Sequence, residues 1–481
     1  MTITGRKIAV TTAVRGLTPG DPLDAYRALA GRFGGAHVHL LESADPEARD
    51  EHRAYVGFGL LCAVSVFGSE VRIEGVPEVR EAVRTRVAPL LDGDALRTPR
   101  DLWDVLRAVH AVFDADGSPD EFRFGFLAHF GYESVQYIED IPVSGEPVLP
   151  DVHLALHEGC VVYDLRAGTA ELRTHTSAAW PAADPDEIAA LLSARLPPLP
   201  EPAVPPATPL ADSVTEAEFT ARVARSLRHI AVGDVYQIQL GHELRLASAM
   251  TPLDAYRRLR ARNASPYMYL AEVAGRTLVG ASPEMFVRVS GGRATMRPIA
   301  GTVPRDGDDA GAAARLRADT KEIAEHTMLV DLCRNDLARV CRPASLEVSG
   351  LFAVERYSHV LHLVSTVEAD VEPDRDAYDV IAATFPAGTM TGAPKIRAME
   401  LIEELEQDRR GLYGGALGLI DVGGHVTMAL CIRTLVHEPG VYTTRACAGI
   451  VADSVPAREW QETLAKMSAA YWAVTGRELI S

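Results

Sequence analysis

The sequence predicts an α+β fold built on antiparallel sheets, and three observations carry that prediction. Short runs alternate apolar and polar residues, as strands with one buried face do: "HVHLLES", "VRIEGV", "FRFGFLAHFGYESVQYI" and "HLALHEGCVVYDL". Helical patterns such as "PEVREAVRTRVAPLL" and "TEAEFTARVARSLRHIAVGD" fall at irregular intervals among them, the second with apolar residues at three-to-four spacing and Gly233 at its end. There is no internal repeat and no Rossmann-like glycine fingerprint, so nothing indicates a doubly wound parallel sheet.

The clearest boundary is "LPPLPEPAVPPATPL", residues 196–210. Proline at this density excludes a helix interior or a central strand, so the stretch predicts an extended linker. It divides an N-terminal part, 1–195, from a C-terminal part, 211–481. In a chain of 481 residues with 47% apolar side chains a sizeable core is available. The net charge of −18 argues against nucleic acid and anionic membranes as partners. It leaves an anionic substrate open, because a metal or a local basic pocket reverses the field. Six cysteines without C-x-x-C or zinc-like spacing read as reduced, buried residues of a cytoplasmic protein. The start "MTITGRKIAV" lacks the apolar core of a signal peptide, and "GLLCAVSVFG" is too short to span a bilayer and reads as a buried strand.

Four segments could carry chemistry. In "DTKEIAEHTMLVDLCRNDLARV", Asp319 and Glu322 have the spacing of a capping box. Glu322, Glu325, Leu329 and Leu332 share one stripe, so the acids either favour the helix dipole or face a cation. In "PAREWQETLAKMSAAYWAV", Trp460, Leu464, Met467 and Tyr471 mark a buried face, with Glu459, Glu462 and Lys466 beside it. Glu462 and Lys466 are spaced as an ordinary i,i+4 pair. Two such acidic helices could together form a hard-cation site of the Mg²⁺ type; no cluster favours zinc or iron. "FPAGTMTGAPKIRAMELIEELE" places a Gly/Thr loop before a helix beginning at Pro394, where free N–H groups, Lys395 and Arg397 suit an anion. It lacks Walker A spacing, and a tight packing loop is the alternative. "GLYGGALGLIDVGGHVTMALCIRTLVHE" reads as a Gly-rich hairpin whose alternation sets Arg433 among apolar neighbours, where a guanidinium needs an anion. Finally, "MRPIAGTVPRDGDD" reads as a strand that breaks at Gly301-Thr302 into a charged loop.

Taken jointly these motifs are specific. "GDVYQIQ", "SPYMYL", "GASPEMF", "RPIAGT", "DTKEIAEHTMLVDLCRNDLARV", "YSHVLHLVSTV", "FPAGTMTGAPKIRAMELI", "LYGGALG", "CIRT" and "AGIVADSVPAREWQETLAK" occur in the order found in the chorismate-utilising enzymes. The chain most closely resembles the large subunit, component I, of anthranilate synthase. The resemblance covers nearly the whole chain and is densest from Glu216 to Val474.

The resemblance implies two large antiparallel sheets with helices outside and a substrate cleft between them. It implies Mg²⁺ at Glu325 and Glu462, supported by Glu322 and Glu459, bridging to the ring carboxylate of chorismate. Tyr413 and Arg433 match residues that hold the enolpyruvyl carboxylate, and Thr389 and His362 match cleft residues. Ala300, Gly301, Thr302, Cys447, Ala448, Gly449 and Lys466 fall at substrate-facing positions. Glu284 matches the acid that protonates the departing 4-hydroxyl, which requires a pKa raised by burial. Family members that add water carry a lysine base at the position of Gln237. The branch that aminates C4 carries a nucleophilic lysine at the position of Ala300. With both absent, the resemblance implies attack of ammonia at C2 to give 2-amino-2-deoxyisochorismate, followed by pyruvate loss to anthranilate with His362 involved. The alternative is an enzyme of specialised metabolism that stops before that elimination; a remoter one is a non-catalytic, tryptophan-binding relative.

No cysteine sits in a G-x-C-x-G setting, so ammonia is expected from a separate glutamine amidotransferase subunit. Leu41, Glu42 and Ser43 of "LLES", with Pro266, Tyr267 and Met268 of "SPYM", resemble a tryptophan feedback site, although "RAYV" departs from the family's "RYS". Arg445-Ala446-Cys447-Ala448-Gly449 departs from the family's Gln-Ala-Gly-Ala-Gly, with Cys447 replacing a glycine beside the ring carboxylate.

Overall fold

A computed structural model describes residues 7–45, 47, 52–305, 307–357 and 360–480. The architecture is antiparallel as expected: apart from one short parallel pair, Ile8–Ala9 with Phe113–Asp114, the described strands join into one continuous, closed hydrogen-bonded network. The antiparallel sheets predicted from the sequence share strands and join at their edges.

Two long strands, Arg53–Phe67 and Val152–Asp164, pair along most of their length, with a bulge at Leu156/His157. The first contains the "GLLCAVSVFG" run, which is a buried strand as its length required. Strand Gly125–Phe130 lies between Val152–Asp164 and Ala416–Asp421, and Val38–Glu42 pairs with Tyr267–Val273, so early and late parts of the chain share ladders. Within the proline-rich stretch, Ala207–Asp212 forms a strand against Gln237–Ser248, with a register shift after Pro209. Proline is tolerated there because it lies at an irregularity.

Gln237–Ser248 also pairs with Val441–Ile450 over ten residues, and Ile299–Pro304 pairs with Val360–Asp370. These two ladders carry the site. Helix Thr320–Ala338 packs on the second ladder and helix Pro456–Thr475 on Val441–Ile450. The first helix is capped by the Asp319 carboxylate, which accepts from the Lys321 and Glu322 N–H groups. The second starts with Pro456 at its first turn and ends at Gly476, whose left-handed φ of 68° suits a helix stop. Packing of Phe124, Phe126, Phe130, Phe286 and Phe385 fills one large apolar cluster; Tyr256, Leu270, Tyr442 and Val474 belong to a second. All six cysteines are buried and free. Among the described residues, no helix is long and apolar enough to cross a membrane.

The segment predicted to break at Gly301-Thr302 does not break. The strand runs from Ile299 to Pro304 and absorbs Gly301 as a bulge with φ of 64°; the charged loop, with Arg305 and Asp308, comes only after Pro304 and leads into helix Asp309–Ala318. Glycine and threonine carry turn chemistry, but here glycine's freedom serves a bulge.

Candidate active site

The bulge sets the first part of the site. A Cβ on Gly301 would sit 3.0 Å from Glu322 Oε2 and 2.9 Å from Leu316 Cδ1, so a side chain there would displace these neighbours, and the left-handed φ of 64° favours glycine. Ala300 beside it is buried. Thr302 pairs with His362 in the ladder; its side chain, like all of His359, lies outside the described residues. The His362 imidazole meets the Gly301 backbone and the edge of the Tyr357 ring, with centroids 5.0 Å apart. Burial pushes its pKa down to about 4; the Gly301 contact opposes this and the Arg433 charge adds to it.

Helix Thr320–Ala338 presents Glu322 and Glu325 on the predicted stripe. Gln237, 1% exposed, donates from Nε2 to Glu325 Oε1 at 3.1 Å. From the other side, helix Pro456–Thr475 brings Glu459 and Glu462. Burial raises Glu322, Glu325 and Glu459 above the usual carboxylate range. Glu462 raises all three further, and Glu325 also repels Glu322; Lys321 opposes the shift in each. Glu462 therefore lies close enough to the other three acids to act on their charge. Lys466 forms an ion pair with Glu462 at 2.7 Å and also donates to the Cys447 carbonyl at 2.9 Å, a bond that the i,i+4 spacing did not reveal.

Val441–Ile450 supplies the floor. The Cys447 N–H donates to the Tyr413 hydroxyl at 2.8 Å. Ala448 is fully buried, and Gly449 lies opposite Gln239 in the ladder. Arg433 departs from the predicted hairpin alternation: it lies between strands Val426–Leu430 and Thr434–Glu438 with φ of 52°, and donates to the Lys466 carbonyl at 3.1 Å. Burial lowers its pKa, while Tyr413 and Glu462 oppose the shift.

Glu284 is 8% exposed, and burial pushes its carboxyl up to about 8. Thr389 and Lys466 pull only weakly the other way. The Thr389 hydroxyl lies close enough to Glu284 to act on its charge, yet is buried without a well-formed hydrogen bond among the described residues.

Two expectations are corrected. Pro394 caps helix Lys395–Leu405 rather than opening it. The cations there are taken by carboxylates: Lys395 Nζ reaches both Asp336 oxygens at 2.7 Å, and Arg397 pairs with Glu400 at 2.7 Å. The loop is a packing clamp rather than an anion site; the Asp336 partner lies 59 residues away, so no local spacing marked it. The tryptophan-like set lies apart from the acids. Leu41, Glu42, Pro266, Tyr267 and Met268 line a cavity of about 40 Å³, with Glu42 held by Tyr256 and Arg260; Ser43 bonds to the Arg53 carbonyl instead.

Sequence reasoning missed a buried cluster beneath the floor. Glu406 accepts from Arg410 at 2.9 Å, from Arg445 at 2.7 Å and from the Gly241 N–H at 2.9 Å. Burial alone would raise Glu406, but the two guanidiniums hold it at about 2. Arg445 was visible only as a departure from the family pattern; its partners needed the fold.

The fold thus brings four glutamates from two helices, the buried carboxyl of Glu284 and the Arg433 guanidinium beside two antiparallel ladders. Residues 74–471 match the model of the chorismate binding enzymes, and the chain belongs to that family. It is 57% identical over 468 residues to 2-amino-4-deoxychorismate synthase of Streptomyces globisporus, covering 95% of each chain. It is 44% identical over 391 residues to anthranilate synthase component 1 of Streptomyces coelicolor, covering 77% of this chain and 76% of the relative. The crystal structure of anthranilate synthase component I from Streptococcus pneumoniae superposes with a TM-score of 0.71 at 28% identity, over 88% of this chain and 93% of that one.

Proposed function

We propose that the chain adds ammonia to C2 of chorismate, expels the 4-hydroxyl, and releases 2-amino-2-deoxyisochorismate. The observation that carries this reading is the pair Gln237 and Ala300. Neither position offers an amine, and Gln237 is held by Glu325, so no lysine there activates water or attacks the ring. The printed name of the Streptomyces globisporus relative describes the same change, an amino group at C2 and loss of the 4-oxygen.

The carboxyl of Glu284, protonated at neutral pH, gives its proton to the departing hydroxyl. The N–C2 bond forms as the C1–C2 π pair moves to C1–C6, the C5–C6 pair moves to C4–C5, and the C4–O bond breaks. The proton left on the new C–NH₃⁺ group restores Glu284. Arg433 and Tyr413 hold the enolpyruvyl carboxylate; Gly301, Thr302, Ala448, Gly449 and Lys466 surround the ring carboxylate.

Glu325 and Glu462 would hold Mg²⁺, with Glu322 and Glu459 supporting. The fit rests on hard oxygen donors whose mutual repulsion a dication relieves. When bound, the ion supplies Lewis-acid neutralisation of the ring carboxylate. Ammonia comes from a separate glutaminase subunit, supported by relatives that are numbered components.

The stop before elimination is supported by His362, since an imidazole pushed down to about 4 is a weak base for removing the C2 proton. Conversion to anthranilate is the second reading, favoured by the position of His362 beside Gly301 and the bound dianion that would raise its basicity. The test incubates purified chain with chorismate, Mg²⁺ and ammonium, following mass and anthranilate fluorescence. A non-aromatic aminated product without fluorescence is expected; no loss of chorismate would overturn the reading, and fluorescence would establish the second one.

A further inference from the structure

Tyr413 belongs to no strand. It lies in the irregular connection between helix Lys395–Leu405 and strand Ala416–Asp421, where its N–H donates to the Arg410 carbonyl at 3.1 Å and Gly411 takes a left-handed φ of 58°. What fixes this connection comes from far away in the chain. Just after strand Gly125–Phe130, a short 3₁₀ turn, Tyr132–Tyr137, faces it. The Tyr132 N–H donates to the Gly411 carbonyl at 2.8 Å. The Glu133 carboxylate accepts from the Arg410 N–H at 2.7 Å and from the Gly411 N–H at 3.0 Å. Backbone groups around one glycine are thus satisfied by two adjacent residues, with Glu133 placed 277 positions before Arg410. Glu133 is 4% exposed, and its partners here are neutral N–H groups. The neighbouring cation, Arg409, pairs with Asp151. Beyond the clasp, the Tyr413 hydroxyl accepts from the Cys447 N–H, and the Arg410 side chain reaches the Met390 carbonyl at 2.7 Å, next to Thr389.

We propose that Glu133 is a positioning residue for chorismate: by taking the Arg410 and Gly411 N–H groups it fixes the backbone from which the Tyr413 hydroxyl meets the enolpyruvyl carboxylate. The requirement is geometric. A hydroxyl-to-carboxylate bond is lost when its donor is displaced, and small misplacements of a substrate cost large rate factors. Without an acceptor, two backbone N–H groups in this turn would stay unpaired or drive the turn into another conformation. Strand Gly125–Phe130 pairs with Ala416–Asp421, so the ladder holds one end of the connection while Glu133 clasps its middle. The part of the chain before the proline-rich stretch thereby takes a share in binding chorismate. The inference rests on the contact between Tyr413 and substrate proposed above.

The experiment measures kcat, the KM for chorismate and the KM for ammonium in Glu133→Met, Glu133→Gln, Tyr413→Phe and the double variant Glu133→Met/Tyr413→Phe, beside thermal melting of each. Methionine keeps the length of the side chain without a strong acceptor, whereas glutamine keeps an acceptor oxygen. Glu133→Met should raise the KM for chorismate about tenfold, the worth of one hydrogen bond, and leave the KM for ammonium within about twofold of the parent. Tyr413→Phe should do the same, and the double variant should lie within about twofold of either single one, because both changes remove one contact. Glu133→Gln should stay within about threefold of the parent. An unchanged KM for chorismate in Glu133→Met, an equal rise in Glu133→Gln, or a double variant whose rise is the product of the two, about a hundredfold, would overturn the clasp and assign Glu133 to packing. If Glu133→Met does not melt cooperatively, Glu133→Ala carries the same cycle with the same expectations. Failure of Tyr413→Phe to raise the KM for chorismate would instead remove the Tyr413 contact on which the inference stands.

Discussion

Glu284 and Glu406 are both buried glutamates near one cleft, and they are set to opposite states. Glu406 faces two guanidiniums and stays ionised down to about 2; Glu284 faces a threonine and a distant lysine, and holds its proton up to about 8. Burial disfavours charge at each, so the nearby cations decide which acid is a structural anion and which is a proton donor. The first clamps Arg410, Arg445 and the strand that bears Gln237; the second has nothing to clamp.

The largest effect expected from breaking this contrast comes from Glu284→Gln. It should cost about 10²–10⁴-fold in kcat, the usual worth of a general acid, with the melting temperature almost unchanged, read by steady-state rates beside calorimetry. Glu325→Gln and Glu462→Gln should likewise abolish turnover with the fold kept, as should EDTA; full activity in any of these would refute the cation assignment. Glu406→Gln inverts the pattern. It leaves two buried guanidiniums opposite a neutral amide and should destabilise by about 3 kcal/mol, visible as a lowered denaturation midpoint.

The two acids should also separate by pH. Glu406 is lowered from 4.5 to about 2 on folding, so its stabilisation is complete above about 4.5 and is lost as the pH falls toward 2, on the order of 3 kcal/mol in all. Glu284 is raised from 4.5 to about 8, so it weakens the fold as the pH climbs between those values, and turnover should fall above about 8. Melting curves from pH 3 to 7 and a kcat profile from pH 6 to 10 check both. A Glu406→Gln variant whose acid limb matches the parent's would contradict the first. The smallest effect is expected at Cys447→Gly. The Cys447 sulfur lies 2.4 Å from where a Cβ on Gly241 would sit, so removing it opens the floor beside Tyr413. Overall turnover should change by less than about threefold, whereas anthranilate fluorescence, followed with the product mass, should appear.

Much of this site was legible in the sequence one element at a time. The acidic stripes of both helices and the absence of two lysines could be read from local spacing or motif, whereas Arg433 lies between two strands and does not follow the alternation its spacing suggested. What was hidden lay in pairings across the chain. Glu406 meets Arg445 at a separation of 39 residues and Lys395 meets Asp336 at 59, beyond any helical or strand period. The Gly301 bulge was read as a turn because local chemistry favours both, and only the ladder partner distinguishes them. The raised pKa of Glu284 depends on what surrounds it in space, which a three-residue motif does not contain.

The closed strand network has an evolutionary consequence. Strand Gly125–Phe130 is sandwiched between Val152–Asp164 and Ala416–Asp421, and Val38–Glu42 is stitched to Tyr267–Val273. A crossover between two homologous genes near the proline-rich stretch would join strands that had not adapted to each other, and either half expressed alone would present raw sheet edges prone to aggregation. New reaction outcomes in such a scaffold are therefore expected to arise by point changes at cleft positions such as Gln237, Ala300 and Cys447 rather than by exchange of halves.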